Sequence, residues 1–194
     1  MVEFILILPL LLVLLLGVAD FGRVFAAGIS MEAATRNGAE AAAQEYVQIL
    51  RTNGSLSASD YQHLHALAID AVCHEASVLP GYLASGTSCS MPATAVCIHD
   101  ATGSSFGPDP NCGGGTTGAP AQCGSLSSGW DVTNAQGSGA LAYVEVRTCY
   151  RFTTIDPVIA NLRLPFGNGL SLGDVYLQRT RTFAIACYHY SGPC

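Results

Sequence analysis

Lysine is absent from this sequence of 194 residues, and charge of either sign is scarce. All eight cations are arginines, charged residues make up only 11% of the chain, and the formal net charge is −6. Nucleic-acid-binding domains carry a basic face that neutralises phosphates. Because a few scattered arginines under a net negative charge provide no such face, we expect no nucleic-acid partner.

The motifs of common enzymes and cofactor sites are also missing. The sequence has no Cys-x-x-Cys pair, no His-Glu-x-x-His, no phosphate-binding loop and no dinucleotide-binding fingerprint. Residues 86–90, Gly-Thr-Ser-Cys-Ser, fall one residue short of a nucleophile elbow and lie in a predicted loop. The carboxylates are few and scattered. We therefore expect a protein that is not an enzyme, with no catalytic residues, no metal and no cofactor.

Cysteine is missing from the first 72 residues and then occurs eight times. An even number confined to one part of the chain is typical of a disulfide framework in an extracellular domain. A local Cys112–Cys123 bridge would close a glycine-rich loop, whereas Cys149 and Cys187 fall in strand-like segments and could bridge strands or pin loops. Eight cysteines allow 105 connectivities, so the pairing stays open. The candidates are Cys73, Cys89, Cys97, Cys112, Cys123, Cys149, Cys187 and Cys194.

What the sequence does have is a long apolar run near its start. No residue from Phe4 to Ala19 is charged, Glu3 precedes this run, and Asp20 and Arg23 follow it. Sixteen uncharged residues are few for a membrane span, which needs about 20, but apolar residues resume at Val24. Because Asp20 and Arg23 are three positions apart, a helix would place them on one face, where they can form an ion pair.

The helical pattern extends well beyond a membrane span. Pro9 lies inside the apolar run, where we expect a kink or a locally unwound turn. One helix from about Phe4 to Leu50 would be about 70 Å long, so its C-terminal half must pack on the head of the same chain or on neighbouring copies. Small residues that permit close helix contacts follow the run: Ala26, Ala27, Ala33, Ala34, Gly38, Ala41 and Ala42.

This N-terminal segment resembles the TadE-like family, whose members are pilin-like and related to type IV pilins and pseudopilins. The resemblance rests on Val2-Glu3-Phe4, the Leu-Pro-Leu-Leu-Leu run, Asp20-Phe21-Gly22-Arg23 and the Ala/Glu-rich residues 31–43. It is tight over residues 2–43 and looser beyond, with a weaker echo in residues 144–152.

The resemblance implies a structural subunit of an extracellular type IV or Tad-like pilus. It implies a leader cleaved by a prepilin peptidase, a stage in the inner membrane, assembly by pilus machinery, and a homopolymeric filament at the cell surface. Glu3 would correspond to the family's glutamate that meets a neighbour's terminal amine. The chain opens without a basic leader, and we therefore expect it to be the processed form. The candidate assembly residues are Glu3, Phe4, Pro9, Asp20 and Arg23.

A minor TadE-like pseudopilin or a membrane-anchored surface-binding module is the alternative. The helix would then stay in the bilayer while the head binds sugar, a surface or another protein. The Ala-rich segment beyond the membrane-length run favours packing against like helices, and hence the filament subunit. Adhesion, motility and secretion would all suit this design.

We predict two parts, an N-terminal helix over residues 1–50 and an extracellular head over residues 51–194. In the head, a second helix packs on an antiparallel sheet. The predicted fold class of the chain is therefore α+β. A capping-box pattern at Ser59–Gln62 predicts a helix over residues 59–77. Alternation and β-formers predict strands near residues 93–99, 140–152 and 175–188, and residues 158–164 suit a short helix. The apolar face of the second helix comprises Leu64, Leu67, Ala68, Ala71, Val72 and Glu75.

Polar residues of the head suggest few sites. His63, His65 and His74 lack the spacing of a metal site on a helix, and we expect solvated or capping histidines. The glycine-rich residues 100–139 predict a surface loop, for which calcium binding by Asp100, Asp109 and Asp131 is the alternative. In the last strand, Arg179 and Arg181 are expected to pair with Glu145 across the sheet.

Overall fold

The computed structural model describes residues 2–85, 88–100, 112–115, 120–123, 126, 142–153 and 175–185, with side chains of the first helix described from Ile7 onward. It confirms the predicted α+β class, since a long N-terminal helix and a second helix accompany antiparallel sheets and a disulfide-linked head. The predictions for residues 158–164, Asp109, Asp131, Cys187 and Cys194 lie outside the described residues.

Helix α1 runs without a break from Val2 to Asn53, which is 52 residues and about 78 Å at 1.5 Å per residue. The backbone is helical on both sides of Pro9. Of the two alternatives that we expected there, a kink or a locally unwound turn, the unwound turn is wrong. A proline removes a single backbone donor, and the apolar residues flanking it continue the helix.

Helix α2 spans Ala58–Ala76 and begins at a different cap from the predicted one. The backbone N–H and the hydroxyl of Ser57 both donate to Asp60 Oδ2 at 2.7 Å. The capping box is therefore Ser57 with Asp60 instead of Ser59 with Gln62, because a carboxylate accepts such hydrogen bonds more strongly than an amide. The same hydrogen bonds lower the pKa of Asp60.

The buried face of α2 is broader than the predicted stripe. Leu64, Ala68 and Val72 are buried as expected, whereas Glu75 is exposed. His65 is buried, so the solvated role expected for it is wrong, while His63 and His74 are exposed. The face is wide because both α1 and the sheet cover this helix. Its buried residues are Tyr61, Leu64, His65, Ala68, Val72, Cys73 and Ala76.

Gly38 marks the closest approach of α1 to α2. A Cβ atom at Gly38 would lie 2.6 Å from Val72 Cγ2 and 2.9 Å from the Ala68 carbonyl oxygen. Ala34 and Ala42 are also buried. Much of the small-residue surface of α1 therefore packs against the head of the same chain, and it no longer favours packing between copies.

The main sheet has four antiparallel strands in the order β4-β3-β5-β6, beside a two-stranded β1-β2 sheet. The strands are β1 (Leu83–Ser85), β2 (Ser88–Met91), β3 (Ala93–His99), β4 (Cys112–Gly115), β5 (Tyr143–Phe152) and β6 (Val175–Ala184). Strand β4 lies inside the segment that we predicted to be a loop. Its sequence, Cys-Gly-Gly-Gly, has no alternating pattern, and its pairing with β3 makes it a strand.

Strand β5 shows the predicted alternation. Val144, Val146, Thr148, Tyr150 and Phe152 are buried, on the side that faces the helices. On the outer side Glu145 and Arg147 are half-buried. The outer face is thus partly covered as well.

Two groups of buried residues join α1 to the head. One, around Tyr46 and Leu64, lies between the C-terminal half of α1, α2 and the sheet. The other, which we call the entry cluster, lies where the apolar part of α1 meets the head. The entry cluster consists of Ala27, Met31, Ala76, Leu79, Met91, Tyr150 and Phe152.

Three disulfides join the described cysteines as Cys73–Cys89, Cys97–Cys112 and Cys123–Cys149. The Cys112–Cys123 bridge that we considered is wrong. The register of β3 and β4 places Cys97 directly opposite Cys112, and Cys123 lies in a 3-10 turn (Ala121–Cys123) that packs on the outer face of β5 at Cys149. Cys112 and Cys123 thus form disulfides with cysteines of β3 and β5 instead of with each other.

Candidate functional site

The N-terminal half of α1 projects from the head as an apolar surface. Phe21 is 74% exposed and Leu10 is 68% exposed. By length and composition, α1 is the one helix in the described part of the chain that is able to cross a membrane. Such a surface needs a bilayer or other apolar surfaces to cover it. Its exposed residues are Ile7, Leu8, Leu10–Leu16, Val18, Phe21, Phe25 and Ile29.

An ion pair follows the uncharged run of this surface, where α1 meets the head. Arg23 Nη1 donates to Asp20 Oδ1 at 3.4 Å, as the spacing of the two residues predicted. The Arg23 guanidinium also lies 5.5 Å from the ring centroid of Phe152 in β5, within the range of a cation–π contact. Arg23 therefore links the apolar segment of α1 to strand β5 of the head.

The other predicted assembly residues lie along the same helix. Glu3 and Phe4 belong to the first turns of α1, but their side chains are outside the described set. Pro9 and Arg23 are separated by about 21 Å of helix. Along this helix the structure brings Asp20 and Arg23 together and leaves Pro9 apart from them.

The two arginines of β6 contact α1 and do not pair with Glu145, so that prediction is wrong. Arg181 forms an ion pair with Glu32, and Arg179 Nη2 would be 3.3 Å from a Cβ at Gly28. The register explains the difference, because Arg179 and Arg181 lie opposite residues of the buried side of β5, whereas Glu145 is opposite Thr182. Alternate residues of a strand point to opposite faces.

Asp100 is buried, although the sequence predicted a surface loop. Its Oδ2 accepts hydrogen bonds from the hydroxyls of Tyr46 at 2.7 Å and Tyr61 at 2.6 Å. Burial, then the hydrogen bond and the charge of Asp100, raise the pKa of both tyrosines. Asp100 thus joins α1 and α2 to the end of β3 and takes a structural position, not that of a loop calcium ligand. The signal in the sequence was its place shortly after the apolar residues 95–98 of β3, with only His99 between them.

A second polar cluster, missed from the sequence, lies on the outer face of the sheet. His99 Nε2 is 3.0 Å from Glu145 Oε2, and Arg147 Nε donates to Glu145 Oε1 at 2.8 Å. The His99 ring stacks on Tyr143 with centroids 4.2 Å apart. Burial raises the pKa of Glu145, but the hydrogen bonds and the charges of His99 and Arg147 together outweigh it, and the net pKa is lowered.

Both oxygens of Glu145 are thus engaged by neighbouring strand residues. The cluster ties β3 to β5 on the outer side of the sheet, as Asp100 ties β3 to the helices on the inner side. Among the residues that the structure describes, no three His, Cys, Asp or Glu side chains form a group that could hold a metal ion. The feature that stands out as a functional surface is therefore the projecting half of α1.

Comparison with known proteins bears on that same segment. Residues 1–40 match the family model described as TadE-like protein. No curated protein matches the chain, and no solved structure matches it. The match covers the apolar run, the Asp20–Arg23 pair and the start of the small-residue surface. The resemblance to the TadE-like family is therefore confirmed over residues 1–40 of the chain.

Proposed function

We propose that the protein is a structural, non-enzymatic subunit of an extracellular Tad-type or type IV-like pilus, assembled by packing of its N-terminal helices. One observation carries the proposal: a single unbroken helix has an apolar, fully projecting N-terminal half and a C-terminal half built into a disulfide-linked head. The TadE-like match at residues 1–40 supports a pilin-like role.

The exposed half of α1 requires an apolar environment at every stage. Burial of one leucine side chain stabilises by about 1.5–3 kcal/mol, and this surface carries a long series of leucines. In the proposed cycle the inner membrane covers them first, and neighbouring helices cover them in the filament. Because one apolar environment replaces another, extraction from the membrane does not expose the helix to water.

Glu3 gives this packing a direction. A carboxylate among apolar helices is costly unless a charge of the opposite sign neutralises it. We propose that the terminal amine of a neighbouring subunit is that partner. This would select the register in which one helix is displaced along the next.

A minor pseudopilin or a membrane-anchored surface-binding module is the second candidate. The specific observation in its favour is the burial of Ala34, Gly38 and Ala42 within the same chain. Because these small residues are already used, the remaining exposed helix suits a lone anchor as well as a filament core. The two candidates differ in abundance, since a major subunit dominates the filament.

The test is made on filaments sheared from cells that express the native chain. We would identify the dominant protein by intact mass, with and without reductant, and determine its N-terminal residue. The filament proposal expects this chain as the main band, with a lower mass in the non-reduced sample. A chain absent from sheared material but abundant in the membrane fraction would favour the anchored module or minor pseudopilin.

A further inference from the structure

We propose that the head itself touches the bilayer surface before assembly, through an apolar rim formed by Val78, Tyr82 and Leu83. This inference rests on the membrane stage of the proposed function. It concerns the head, and so it goes beyond the anchoring role of α1.

The length of α1 places the base of the head at the membrane surface. The helix from Phe4 to Arg23 is about 30 Å long, which equals the hydrocarbon thickness of a bilayer. Val24 and Ala27 follow at once and already pack in or against the entry cluster. Because no spacer separates the span from the head, the lowest layer of the head lies at the level of the lipid headgroups.

The path of α2 places the rim in that lowest layer. Gly38 of α1 faces Ala68 and Val72 of α2, and nearer the membrane Ala27 and Met31 lie in one cluster with Ala76. The two helices are therefore antiparallel, and α2 ends beside the point where α1 enters the head.

The turn after α2 continues at the same level. Leu79 belongs to the entry cluster, and Tyr82 packs against it. Gly81, with φ of 91°, packs against the end of β5, since a Cβ there would be 3.4 Å from the Arg151 carbonyl oxygen. The rim residues thus lie on the end of the head that faces the span.

The exposure of the rim is unusual for this head. Val78 is 82% exposed and Leu83 is 56% exposed. Among the described residues, the other exposed large apolar side chains all belong to α1. Exposed apolar side chains at the end of the head from which a membrane-length helix leaves fit the interfacial region of a bilayer.

Two further residues suit this environment. Tyr82, which lies between Val78 and Leu83 in the sequence, is half-buried, and tyrosine is enriched at membrane interfaces because its ring is apolar and its hydroxyl is polar. Arg151 is exposed on β5, next to Phe152 of the entry cluster. A cation at this height complements lipid phosphates. The height is set by the helix of the same chain, which is why we assign the rim to lipid and not to a second copy.

Tryptophan fluorescence in vesicles tests the inference with the full chain. In a Trp130→Phe background, single tryptophans are introduced by Val78→Trp or Leu83→Trp. The vesicles contain phospholipids brominated near the ester end of their acyl chains, which quench only tryptophans in contact with them. Gln48→Trp, exposed near the far end of α1, is the control for the outer head. Leu14→Trp, at the middle of the span, is measured in a second set of vesicles whose phospholipids are brominated near the methyl end of their acyl chains.

We expect quenching of both rim tryptophans several-fold above that of Gln48→Trp. Rim quenching no stronger than that control, with Leu14→Trp quenched, would overturn the inference and leave the proposed function intact. An unquenched Leu14→Trp would overturn the membrane stage and the inference together. A blue-shifted rim tryptophan that lipid does not quench would mean that another copy covers the rim, which also overturns it. Hydrogen exchange of residues 77–85 in the unsubstituted chain, slower in nanodiscs than in detergent, checks the result without any substitution.

Discussion

The hydroxyls of Thr35 in α1 and Thr148 in β5 meet at 2.8 Å inside the core, where both side chains are fully buried. Thr35 also donates to the Met31 carbonyl oxygen at 2.6 Å. A hydroxyl has a single proton to donate, so Thr148 must be the donor to Thr35. A directional polar contact thus joins the long helix to the central strand.

Replacement of Thr35 by valine leaves the buried Thr148 hydroxyl without its acceptor. We expect a loss of about 1–3 kcal/mol in the free energy of unfolding, the cost of an unsatisfied buried donor. Thr148→Val should cost less, because Thr35 keeps its bond to the Met31 carbonyl oxygen. Denaturant unfolding in detergent, followed by near-ultraviolet circular dichroism, measures both variants and the double variant. Strictly additive losses in the double variant would contradict a direct bond between the hydroxyls.

Gly38→Ala should destabilise the protein, although alanine is the better helix former. The new Cβ would lie 2.6 Å from Val72 Cγ2 and 2.9 Å from a backbone oxygen, so α1 and α2 must move apart. We expect a net loss of about 1–2 kcal/mol after the gain in helix propensity. Gly22→Ala is the matched control, since nothing lies within 4 Å of its Cβ position, and its thermal midpoint should not fall. Equal midpoints for the two variants would contradict the close helix contact.

Stability should fall as the pH rises above about 10, the ordinary pKa of tyrosine. The pKa values of Tyr46 and Tyr61 are raised in the folded protein, so the unfolded chain loses these protons first. Each such tyrosine contributes stability below its unfolded pKa that is lost at about 1.4 kcal/mol per pH unit above it. Denaturant unfolding at a series of alkaline pH values measures the slope.

Single Tyr46→Phe and Tyr61→Phe variants serve as controls for that slope. Each should reduce the slope by the share of one tyrosine. A residual slope should remain, because burial also raises the pKa of Tyr150. An unchanged slope in both variants would show that other groups cause the alkaline loss.

Peptide mapping without reductant should recover three crosslinks, Cys73–Cys89, Cys97–Cys112 and Cys123–Cys149. Loss of the bridge at Cys149 frees the turn that covers the outer face of β5, and a Cys123→Ser, Cys149→Ser variant should lose about 2–4 kcal/mol. Recovery of a Cys112–Cys123 peptide would contradict the pairing of β3 with β4.

Glu3→Ala tests the assembly step itself. We expect the variant to reach the membrane in normal amounts and to yield no filaments, because the amine of the neighbouring subunit loses its partner. Glu75→Ala, on the exposed side of α2, is the control and should assemble normally. Filament yield is measured by shearing and quantification against the membrane fraction, and a normal yield from Glu3→Ala would sink the proposed role.

Features that depend on neighbours in the chain were predictable from the sequence. The apolar run and the helical pattern beyond it indicated one long helix, and period-two alternation identified the strand β5. The Asp20–Arg23 contact followed from helical spacing. These features depend on local periodicity, which the order of residues sets by itself.

The tertiary structure alone decided which distant groups meet. The register of β3 and β4 placed Cys97 opposite Cys112 and made a strand of three glycines, and the register of β5 and β6 turned Arg181 towards Glu32 on α1. Helix α2 packs against the small residues of α1, which the sequence had led us to expect at contacts between neighbouring copies. Such contacts depend on which face of one helix or strand covers another, and the local sequence pattern does not determine that.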